Sequence, residues 1–348
     1  MLLKPPFTDR IFLPDAPSIP GLTFRLYRDI ADFEPLAALT TACMTADAVG
    51  EIMTADELQS RCRPTPDFDP QRDILIAEVD DYPVGYVRFW RRQLDDGTWL
   101  FPHLGYVRPE WRQRGIGRVL LHYAEAEASD RAAEIPGGSC YHQSSAADTE
   151  IATHTLLCHA GYDIRRNFFE MVRPHLEDIP DLSLPAGLEV RPVTPDQYRP
   201  IMAALNEAFR DHWGHSEATE DDYQRFINNA HFQPHLWQVA WAGDEVAGMV
   251  LSYIHHEENA AFGRLRGWPD PIAVRRPWRR QGLASALIAR SLRTLKEHGM
   301  TEAGLGVDTE NLSGALRVYE RLGFQAVKRF SSYWKPMSHT SIGRPPAD

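Results

Sequence analysis

The chain shows two hydrophobic periodicities, one typical of helices and one typical of strands. The clearest helical stretch follows Gly282, where apolar residues recur three or four positions apart. Such spacing places apolar side chains on one face of a helix. The stretch therefore predicts an amphipathic helix packed on a core, with this apolar stripe: Leu283, Ala284, Leu287, Ile288, Leu292 and Leu295.

Shorter apolar runs predict strands. LWQVAWA and EVAGMVLSYI are separated by Gly243 and Asp244, a pair that suits the tight turn of a β-hairpin. LEVRPV, AGLGVDT and RFSSYWKP predict further strands, and DQYRPIMAALNEAF predicts a helix. GALRVYERLGF predicts another helix, which Gly323 would stop. Strands and helices mixed in this way predict an α/β or α+β fold with a mixed sheet.

The order of these elements occurs twice. Four blocks recur in one order about 165 residues apart, which indicates a duplicated domain. The paired positions are Gly21 and Gly187, Gly85 and Gly248, Gly115 and Gly282, and Gly161 and Gly323. A linker is predicted at HLEDIPDLSLPA, residues 175–186, because it is rich in proline and charge.

This repeat divides the chain into four parts. We predict an N-terminal extension (1–20), a first half (21–176), a second half (177–337) and a C-terminal tail (338–348). The two halves would be tandem domains, each with a mixed central sheet flanked by helices. In each half the last strand would close its own sheet, NFFEMVRP in the first and RFSSYWKP in the second.

Composition narrows the class of protein. A hydrophobic content of 43% and a charged content of 24% over 348 residues are typical of a globular protein, and no apolar run has membrane-helix length. A net charge of −11 argues against nucleic-acid binding, which requires cations to neutralise phosphates. Prolines near the start interrupt any signal-peptide pattern, so we expect a cytoplasmic protein with no membrane partner. Whether it is a monomer or a homodimer stays open.

Neither cysteines nor histidines have the spacing of a metal site. The four cysteines include no C-x-x-C pair, and HWGH (212–215) and HHEE (255–258) lack the i, i+4 histidines of helical zinc sites. We therefore expect reduced cysteines and no metal.

Arginines surround one glycine in VRRPWRRQGLASALI (274–288), and VRPEWRQRGIGRVLL (107–121) repeats the arrangement. The first N–H groups of a helix lack carbonyl partners and carry partial positive charge, so an anion can bind there. Glycine allows close approach of the backbone, and arginines pair with phosphate oxygens. A solvated basic turn is the alternative, but the duplication favours a phosphate site. Neither a P-loop nor a Rossmann motif fits the sequence.

Two motifs of the second half resemble those of the GNAT acetyltransferase superfamily. They are V-x-x-x-[WF]-[RQ]-x-x-G-x-[GA] between strand and helix, and N-x-x-[GS]-A-x-x-x-Y-x-x-x-G-F. The resemblance covers about residues 21–174 and 187–336, and as a tandem pair the chain resembles the mycothiol synthase-like type of that superfamily. It implies acetyl-CoA as the acyl donor, with the pyrophosphate on the arginine–glycine loop.

The resemblance implies coenzyme contacts at matching positions in both halves. In the second half they are Ala273, Val274, Arg279, Arg280, Gln281, Gly282, Leu283, Ala284 and Asn311. In the first half they are Tyr106, Val107, Arg112, Gln113, Arg114, Gly115, Ile116 and Gly117. The main chain of Ala273 and Val274 would pair with the pantetheine arm as if it were a short added strand.

Transfer of an acetyl group to an amine requires a base that deprotonates the amine and an acid that protonates the leaving thiolate. Tyr319 stands at the position of the acid in the resemblance, although its helical spacing also suits a packing role. Leu157 occupies the matching position of the first half and cannot donate a proton. We therefore expect catalysis in the second half. The first half would bind coenzyme without turnover, or support the acceptor pocket and the fold.

The base is less determined, because Trp268 stands where the resemblance suggests a glutamate. Asp270 is the nearest carboxylate on the same segment, and Glu257 and Glu258 lie on the preceding connection. Each of these three is a possible base, and each also suits an ordinary loop.

The acceptor side is predicted from position alone. Phe209, Trp213 and His215 follow the first helix of the second half, where relatives shape the acceptor pocket, and they equally suit an aromatic lid on the core. The expected function is acetyl-CoA-dependent N-acetylation of a primary amine of a small molecule. A protein or peptide acceptor, a longer acyl donor and a non-catalytic acyl-CoA sensor are the alternatives.

Overall fold

A computed structural model of the chain describes residues 10–229, 231–310 and 314–337. The elements of the first half are β1 (Arg10–Ile11), β2 (Leu22–Leu26), α1 (Phe33–Ala46), α2 (Ala55–Arg61), α3 (Pro70–Asp73), β3 (Ile74–Val79), β4 (Tyr82–Phe89), β5 (Arg92–Gln93), β6 (Trp99–Val107), α4 (Ile116–Ala133), β7 (Cys140–Ala147), α5 (Ile151–His159) and β8 (Asp163–Arg173). Those of the second half are β9 (Glu189–Val190), α6 (Tyr198–Phe209), α7 (Glu220–Ile227), β10 (Gln238–Ala242), β11 (Glu245–Val250), β12 (Tyr253–Ile254), α8 (His256–Phe262), β13 (Arg266–Trp268), β14 (Ile272–Val274), α9 (Leu283–Glu297), β15 (Glu302–Asp308), α10 (Ala315–Arg321) and β16 (Gln325–Pro336).

Two sheets organise these elements. The larger sheet has twelve strands in the order β1-β2-β3-β4-β6-β7-β16-β8-β15-β13-β12, with β5 paired to β6. The smaller sheet has the order β14-β11-β10-β9. Antiparallel pairs such as β10 with β11 occur beside parallel pairs such as β6 with β7. The predicted mixed α/β class is therefore confirmed.

The final strands of the two halves are exchanged within the larger sheet. β16 lies between β7 and β8 and is antiparallel to both, with Ser332 opposite Ser145 and Arg166. β8 pairs on its other side with β15 of the second half. The prediction that each final strand closes its own half is wrong, although both segments are strands. An alternating pattern specifies that a strand forms and which face it buries, but it does not specify the neighbouring strand.

Helices cover both faces of each half. α9 packs on one face of the smaller sheet, where Leu283, Leu287 and Leu292 of the predicted stripe are buried. α6 packs on the other face through Ile201 and Ala204. α4 and α1 have the matching positions in the first half. Among the described residues, no helix combines the length and hydrophobicity of a membrane span.

A pair of matched glycines shows how closely the halves correspond. A Cβ added at Gly85 would come within 3.0 Å of the Tyr106 carbonyl, and one added at Gly248 within 3.0 Å of the Ala273 carbonyl. Both glycines lie on the strand next to the one that feeds the arginine–glycine loop. Each allows that strand and the following helix to pack closely.

Candidate active site

The arginine–glycine loop of the second half connects β14 to α9. Gly282 and Arg280 have left-handed backbone angles, with φ of 84° and 62°. The first helical hydrogen bond runs from Ala286 N to Gly282 O at 3.1 Å. The N–H groups of Leu283 and Ala284 therefore have no partner among the described residues. A Cβ at Gly282 would meet no atom within 4 Å, so these donors face an open space that can accept an anion.

Two arginines at the start of the loop are neutralised by α6 and the residues that follow it. Arg275 Nε donates to Glu207 Oε2 at 2.9 Å. Arg276 Nε donates to Asp211 Oδ2 at 3.0 Å. Hydrogen bonds from Arg276 and Arg279 hold the pKa of Asp211 below its usual value. The Arg276–Asp211 pair is exposed and the Arg275–Glu207 pair is only partly buried, so their main effect is to hold the loop against α6 rather than to add much stability.

The next two arginines have different environments. Arg279 Nε donates to the Val274 carbonyl at 2.9 Å, and its Nη1 donates to Asp211 at 2.6 Å. Arg279 therefore braces the end of β14. Arg280 is exposed and has no hydrogen bond or ion pair within the described chain. Among the four arginines, Arg280 is thus the one whose charge is available to a bound anion.

A pocket of about 600 Å³, which we call the loop pocket, lies in front of this loop. Its wall includes most of the predicted coenzyme contacts of the second half: Ala273, Val274, Arg279, Arg280, Gly282, Leu283 and Ala284. Gln281 is exposed, and its side chain donates to the Pro277 carbonyl at 3.0 Å. The predicted contact at Asn311 lies outside the described residues.

The strand that feeds the loop is split beside this pocket. β13 pairs with β15 of the larger sheet, whereas β14 pairs with β11 of the smaller sheet. Pro269 and Pro271 lie between them and lack the N–H needed to continue a ladder. β14 is therefore an edge strand next to the loop pocket, and an extended ligand could pair with its main chain.

A second pocket of about 470 Å³, which we call the inner pocket, adjoins the loop pocket. Phe209, His212, Ile272 and Tyr319 line both. The remaining wall comes from both halves of the chain and includes Glu51, Glu57, Arg61, Phe168, Glu170, His231, Tyr253, His255, Glu258, Trp268, Asp270 and Asp308. The inner pocket is thus closed on one side by the first half.

Tyr319 lies at the junction of the two pockets. Its side chain is buried, and its hydroxyl has no hydrogen-bond partner among the described residues. Burial, with a contribution from the charge of Asp270, raises the pKa of Tyr319. The hydroxyl therefore stays protonated at neutral pH and can donate a proton. Leu157, at the matching position of the first half, is packed among Leu121 and Tyr162.

Asp270 lies in the wall of the inner pocket. Burial raises the pKa of Asp270 to about 7, and a hydrogen bond from the Gly306 N–H partly opposes that effect. No cation pairs with it among the described residues. A carboxylate that titrates near neutral pH is suited to accept a proton from an amine.

The other two possible bases have different surroundings. Glu258 lines the inner pocket but forms an ion pair with Arg264. Glu257 lies in the first turn of α8, with 68% of its side chain exposed, and lines neither pocket. Glu257 therefore lies outside both pockets, because α8 turns its side chain toward solvent. Of the three carboxylates, Asp270 alone combines a pocket position with a raised pKa and no cation.

The predicted acceptor contacts separate into two groups. Phe209 lines both pockets. Trp213 instead packs on Trp334, with ring centroids 5.3 Å apart. His215 Nδ1 lies 2.6 Å from Asp95 Oδ2 of the first half. Trp213 and His215 line neither pocket, because the segment that follows α6 folds onto the turn after β5 instead.

The loop of the first half repeats the geometry but is covered. Gly115 and Gln113 have φ of 90° and 59°, and Arg112 pairs with Asp47 at 2.6 Å. A Cβ at Gly115 would lie 3.4 Å from Pro17, because the N-terminal extension runs over the loop. None of the predicted contacts of this half lines either pocket: Tyr106, Val107, Arg112, Gln113, Arg114, Gly115, Ile116 and Gly117. The structure therefore does not favour coenzyme binding at this loop.

The inner pocket also contains a cluster that sequence spacing could not reveal. His231 Nε2 and His255 Nε2 lie 2.6 Å and 3.1 Å from Glu57 Oε1. Burial alone would raise the pKa of Glu57, but hydrogen bonds from the two histidines lower it. One ligand atom of each residue lies within 4.8 Å of the others, so the three could hold a metal ion. They come from distant parts of the chain, and only the fold brings them together.

Comparison with known proteins places this geometry in a family. A model described as "Acetyltransferase (GNAT) family" matches residues 198–324, and one described as "Acetyltransferase (GNAT) domain" matches residues 70–161. The chain belongs to the GNAT acetyltransferase family. It is therefore an acyltransferase, as the motifs predicted.

Relatives of this GNAT protein extend over both halves. A mycothiol acetyltransferase of Parafrankia sp. (strain EAN1pec) is 27% identical over 327 residues, which cover 88% of this chain and 96% of that protein. A GNAT structure from Sphaerobacter thermophilus is 25% identical with a TM-score of 0.69, covering 97% and 99% of the two chains. A tandem GNAT protein from the clavulanic acid biosynthesis pathway shares the fold at 15% identity and a TM-score of 0.67, covering 94% and 100%. The predicted tandem, mycothiol synthase-like type is confirmed.

Proposed function

We propose that this GNAT protein transfers the acetyl group of acetyl-CoA to a primary amine of a small molecule, and that the second half carries out the reaction. The observation that supports it most is the junction of the two pockets. A possible proton donor, Tyr319, lines both pockets, and a possible base, Asp270, lies in the wall of the inner pocket.

The loop pocket suits coenzyme A in its charge and its shape. The free N–H groups of Leu283 and Ala284 and the guanidinium of Arg280 can bind a pyrophosphate. The exposed edge of β14 can pair with the amide groups of the pantetheine arm. Acetyl-CoA bound in this way would supply the acetyl thioester at the junction.

The residues of the junction divide the proton transfers. Asp270 accepts a proton from the ammonium group of the acceptor, directly or through a water molecule. The freed nitrogen attacks the thioester carbon and forms the new C–N bond while the C–S bond breaks, and Tyr319 donates its proton to the departing sulfur. The second proton of the attacking nitrogen then passes to the Tyr319 phenolate, which leaves a neutral amide and a protonated Tyr319. Both groups are held by packed elements, so positioning contributes to the rate.

The first half would act as the wall of the acceptor pocket. Glu51, Glu57 and Phe168 come from this half and line the inner pocket. A recessed pocket of about 470 Å³ suits a small molecule better than a protein tail. The relatives named mycothiol acetyltransferases also favour a small acceptor.

The test combines turnover with coenzyme binding. Purified full-length protein is given acetyl-CoA and a panel of small amines, and released thiol is measured alongside coenzyme affinity by calorimetry. We expect amine-dependent thiol release, and we expect Tyr319→Phe to lower kcat about 100-fold while coenzyme affinity changes less than about twofold. Tight coenzyme binding without thiol release on any amine would instead favour the sensor alternative.

A further inference from the structure

The inner pocket is unusually rich in carboxylates. Among the described residues that line it, six are acidic, and the basic ones are Arg61 and the histidines His212, His231 and His255. Four of these acids form ion pairs with basic side chains. The pairs are Glu57 with His231 and His255, Glu170 with Arg266 and Lys328, Glu258 with Arg264, and Asp308 with Arg166. Within the described part of the chain, the other two, Glu51 and Asp270, form no ion pair.

Glu51 has no hydrogen bond or ion pair within the part of the chain that the structure describes. Burial first and then the charge of Glu258 raise the pKa of Glu51, and the charges of Lys328 and Arg61 only partly oppose that rise. A largely buried carboxylate without a direct partner is costly unless a cation or a hydrogen-bond donor reaches it. A ligand with a positive charge would remove that cost.

Tyr253 lines the inner pocket together with the two unpaired acids. Its pKa is raised by burial first and then by the charges of Asp270, Glu258 and Glu51. Its hydroxyl has no partner among the described residues. Its ring is parallel to that of Trp268, with an angle of 10° between the planes. The wall that holds the two acids therefore also contains an aromatic surface, which attracts organic cations and packs against methylene groups.

We propose that the inner pocket takes a small aliphatic dication as its acceptor, with the reacting nitrogen at Asp270 and Tyr319 and a second ammonium group held by Glu51. This rests on the proposed function, since it names the class of amine that is acetylated. The second nitrogen keeps its proton because the ordinary pKa of an alkyl amine is near 10. Tyr253 and Trp268 contact the carbon chain between the nitrogens.

Arg61 and three histidines are the basic residues in the wall, and two of the histidines, His231 and His255, lie against Glu57. The Arg61 side chain is exposed, so water and salt screen its charge, whereas the Glu51 side chain is only partly exposed. Arg61 would favour an acceptor with a carboxylate. The choice between a diamine and an amino acid is therefore an outcome of the experiment.

The experiment compares three acceptors of similar length at one pH: 1,4-diaminobutane, n-butylamine and 4-aminobutyrate. Thiol release from acetyl-CoA gives kcat/KM for each, and calorimetry gives the affinity of the full chain for 1,4-diaminobutane alone. We expect kcat/KM for the diamine to exceed that for the monoamine at least tenfold. Glu51→Gln should remove that preference by raising KM for the diamine at least tenfold more than KM for the monoamine.

Glu34→Gln is the matched control. Glu34 is an exposed glutamate of α1 in the same half of the chain, and its substitution should leave both rates unchanged. Equal rates for the diamine and the monoamine, or a preference for 4-aminobutyrate, would overturn the inference while leaving amine acetylation intact. Diamine binding that depends on Glu51 but gives no thiol release would support the pocket's specificity and overturn the proposed function instead.

Discussion

Burial raises the pKa of both Asp270 and Tyr319, and the two shifts suit opposite roles in proton transfer. Burial disfavours the charged form of each, so it raises the pKa of Asp270 to about 7 and keeps the Tyr319 hydroxyl protonated. At neutral pH a large fraction of Asp270 can accept a proton while Tyr319 can donate one. A proton acceptor and a proton donor that are both active at one pH are typical of acid–base catalysis.

The raised pKa of Asp270 predicts the pH dependence of the reaction. Only the ionised carboxylate accepts a proton, so kcat/KM should rise with pH and level off above about pH 7. Asp270→Asn should lower kcat/KM about 100-fold or more and remove this limb, as measured by thiol release between pH 5.5 and 9. A limb near pH 7 that persists in the variant would assign the titration to another group.

The same residue predicts a change in stability that checks the fold of the variant. The folded state holds the Asp270 proton more tightly than the unfolded state, whose pKa is near 3.8. The favourable contribution is therefore complete below that value and lost as pH rises through about 7. Asp270→Asn should consequently raise the melting temperature at pH 8 by a few degrees, and the increase should shrink toward pH 4. A variant that is less stable at pH 8 would contradict this explanation.

At the scale of elements, the two arginine–glycine loops share their backbone and differ in what lies over them. Arg112 with Asp47 and Arg279 with Asp211 brace the loops alike. The difference comes from the N-terminal extension, whose Pro17 lies against Gly115. The sequence identified both loops, but it could not show that one is covered, because nothing in the motif records a residue about a hundred positions away.

Matched substitutions in the two loops test this difference. Gly282→Glu and Gly115→Glu both put a side chain where φ is positive, so each should cost about 1–2 kcal/mol of stability. Gly282→Glu also puts a negative charge where the pyrophosphate would bind, so we expect coenzyme affinity and turnover to fall more than 100-fold. Gly115→Glu should leave both within about threefold of the parent protein.

Coenzyme affinity by calorimetry and thiol release are the measurements, with melting curves as the control for strain. Equal loss of coenzyme binding in the two variants would indicate two functional loops. If Gly115→Glu fails to fold, the comparison is repeated with Gly115→Ala and Gly282→Ala. These retain the matched backbone strain without the added charge.

At the scale of the whole molecule, the local sequence pattern predicted most helices and strands, but it did not predict how the two halves pack together. The β10–β11 hairpin and α9 follow from residues adjacent in the chain, and the structure confirms both. The motif that contains Tyr319 is also a contiguous stretch of the chain, so it could be found from the sequence. The inner pocket was not predicted, because Glu51, Glu57 and His231 are brought together by contacts between the halves. Trp213 and His215 lie outside both pockets for the same reason.

The exchanged strands predict that the two halves depend on each other for folding. β16 of the second half supplies the neighbour of β7, and β8 of the first half supplies the neighbour of β15. A fragment 1–176 would leave the edges of β7 and β8 unpaired, and a fragment 177–348 would do the same to β15 and β16. Exposed strand edges favour association rather than a folded monomer.

We therefore expect each fragment to be aggregated or expanded when expressed alone, and co-expression of the two to restore a soluble complex with thiol-release activity. In the intact chain the shared sheet should couple the halves, so circular dichroism and tryptophan fluorescence should report one coincident urea transition. Gel filtration measures the first outcome and the two spectroscopic signals measure the second. Two separate transitions, or a fragment that unfolds cooperatively by itself, would show that the exchange of β8 and β16 does not join the halves into one folding unit.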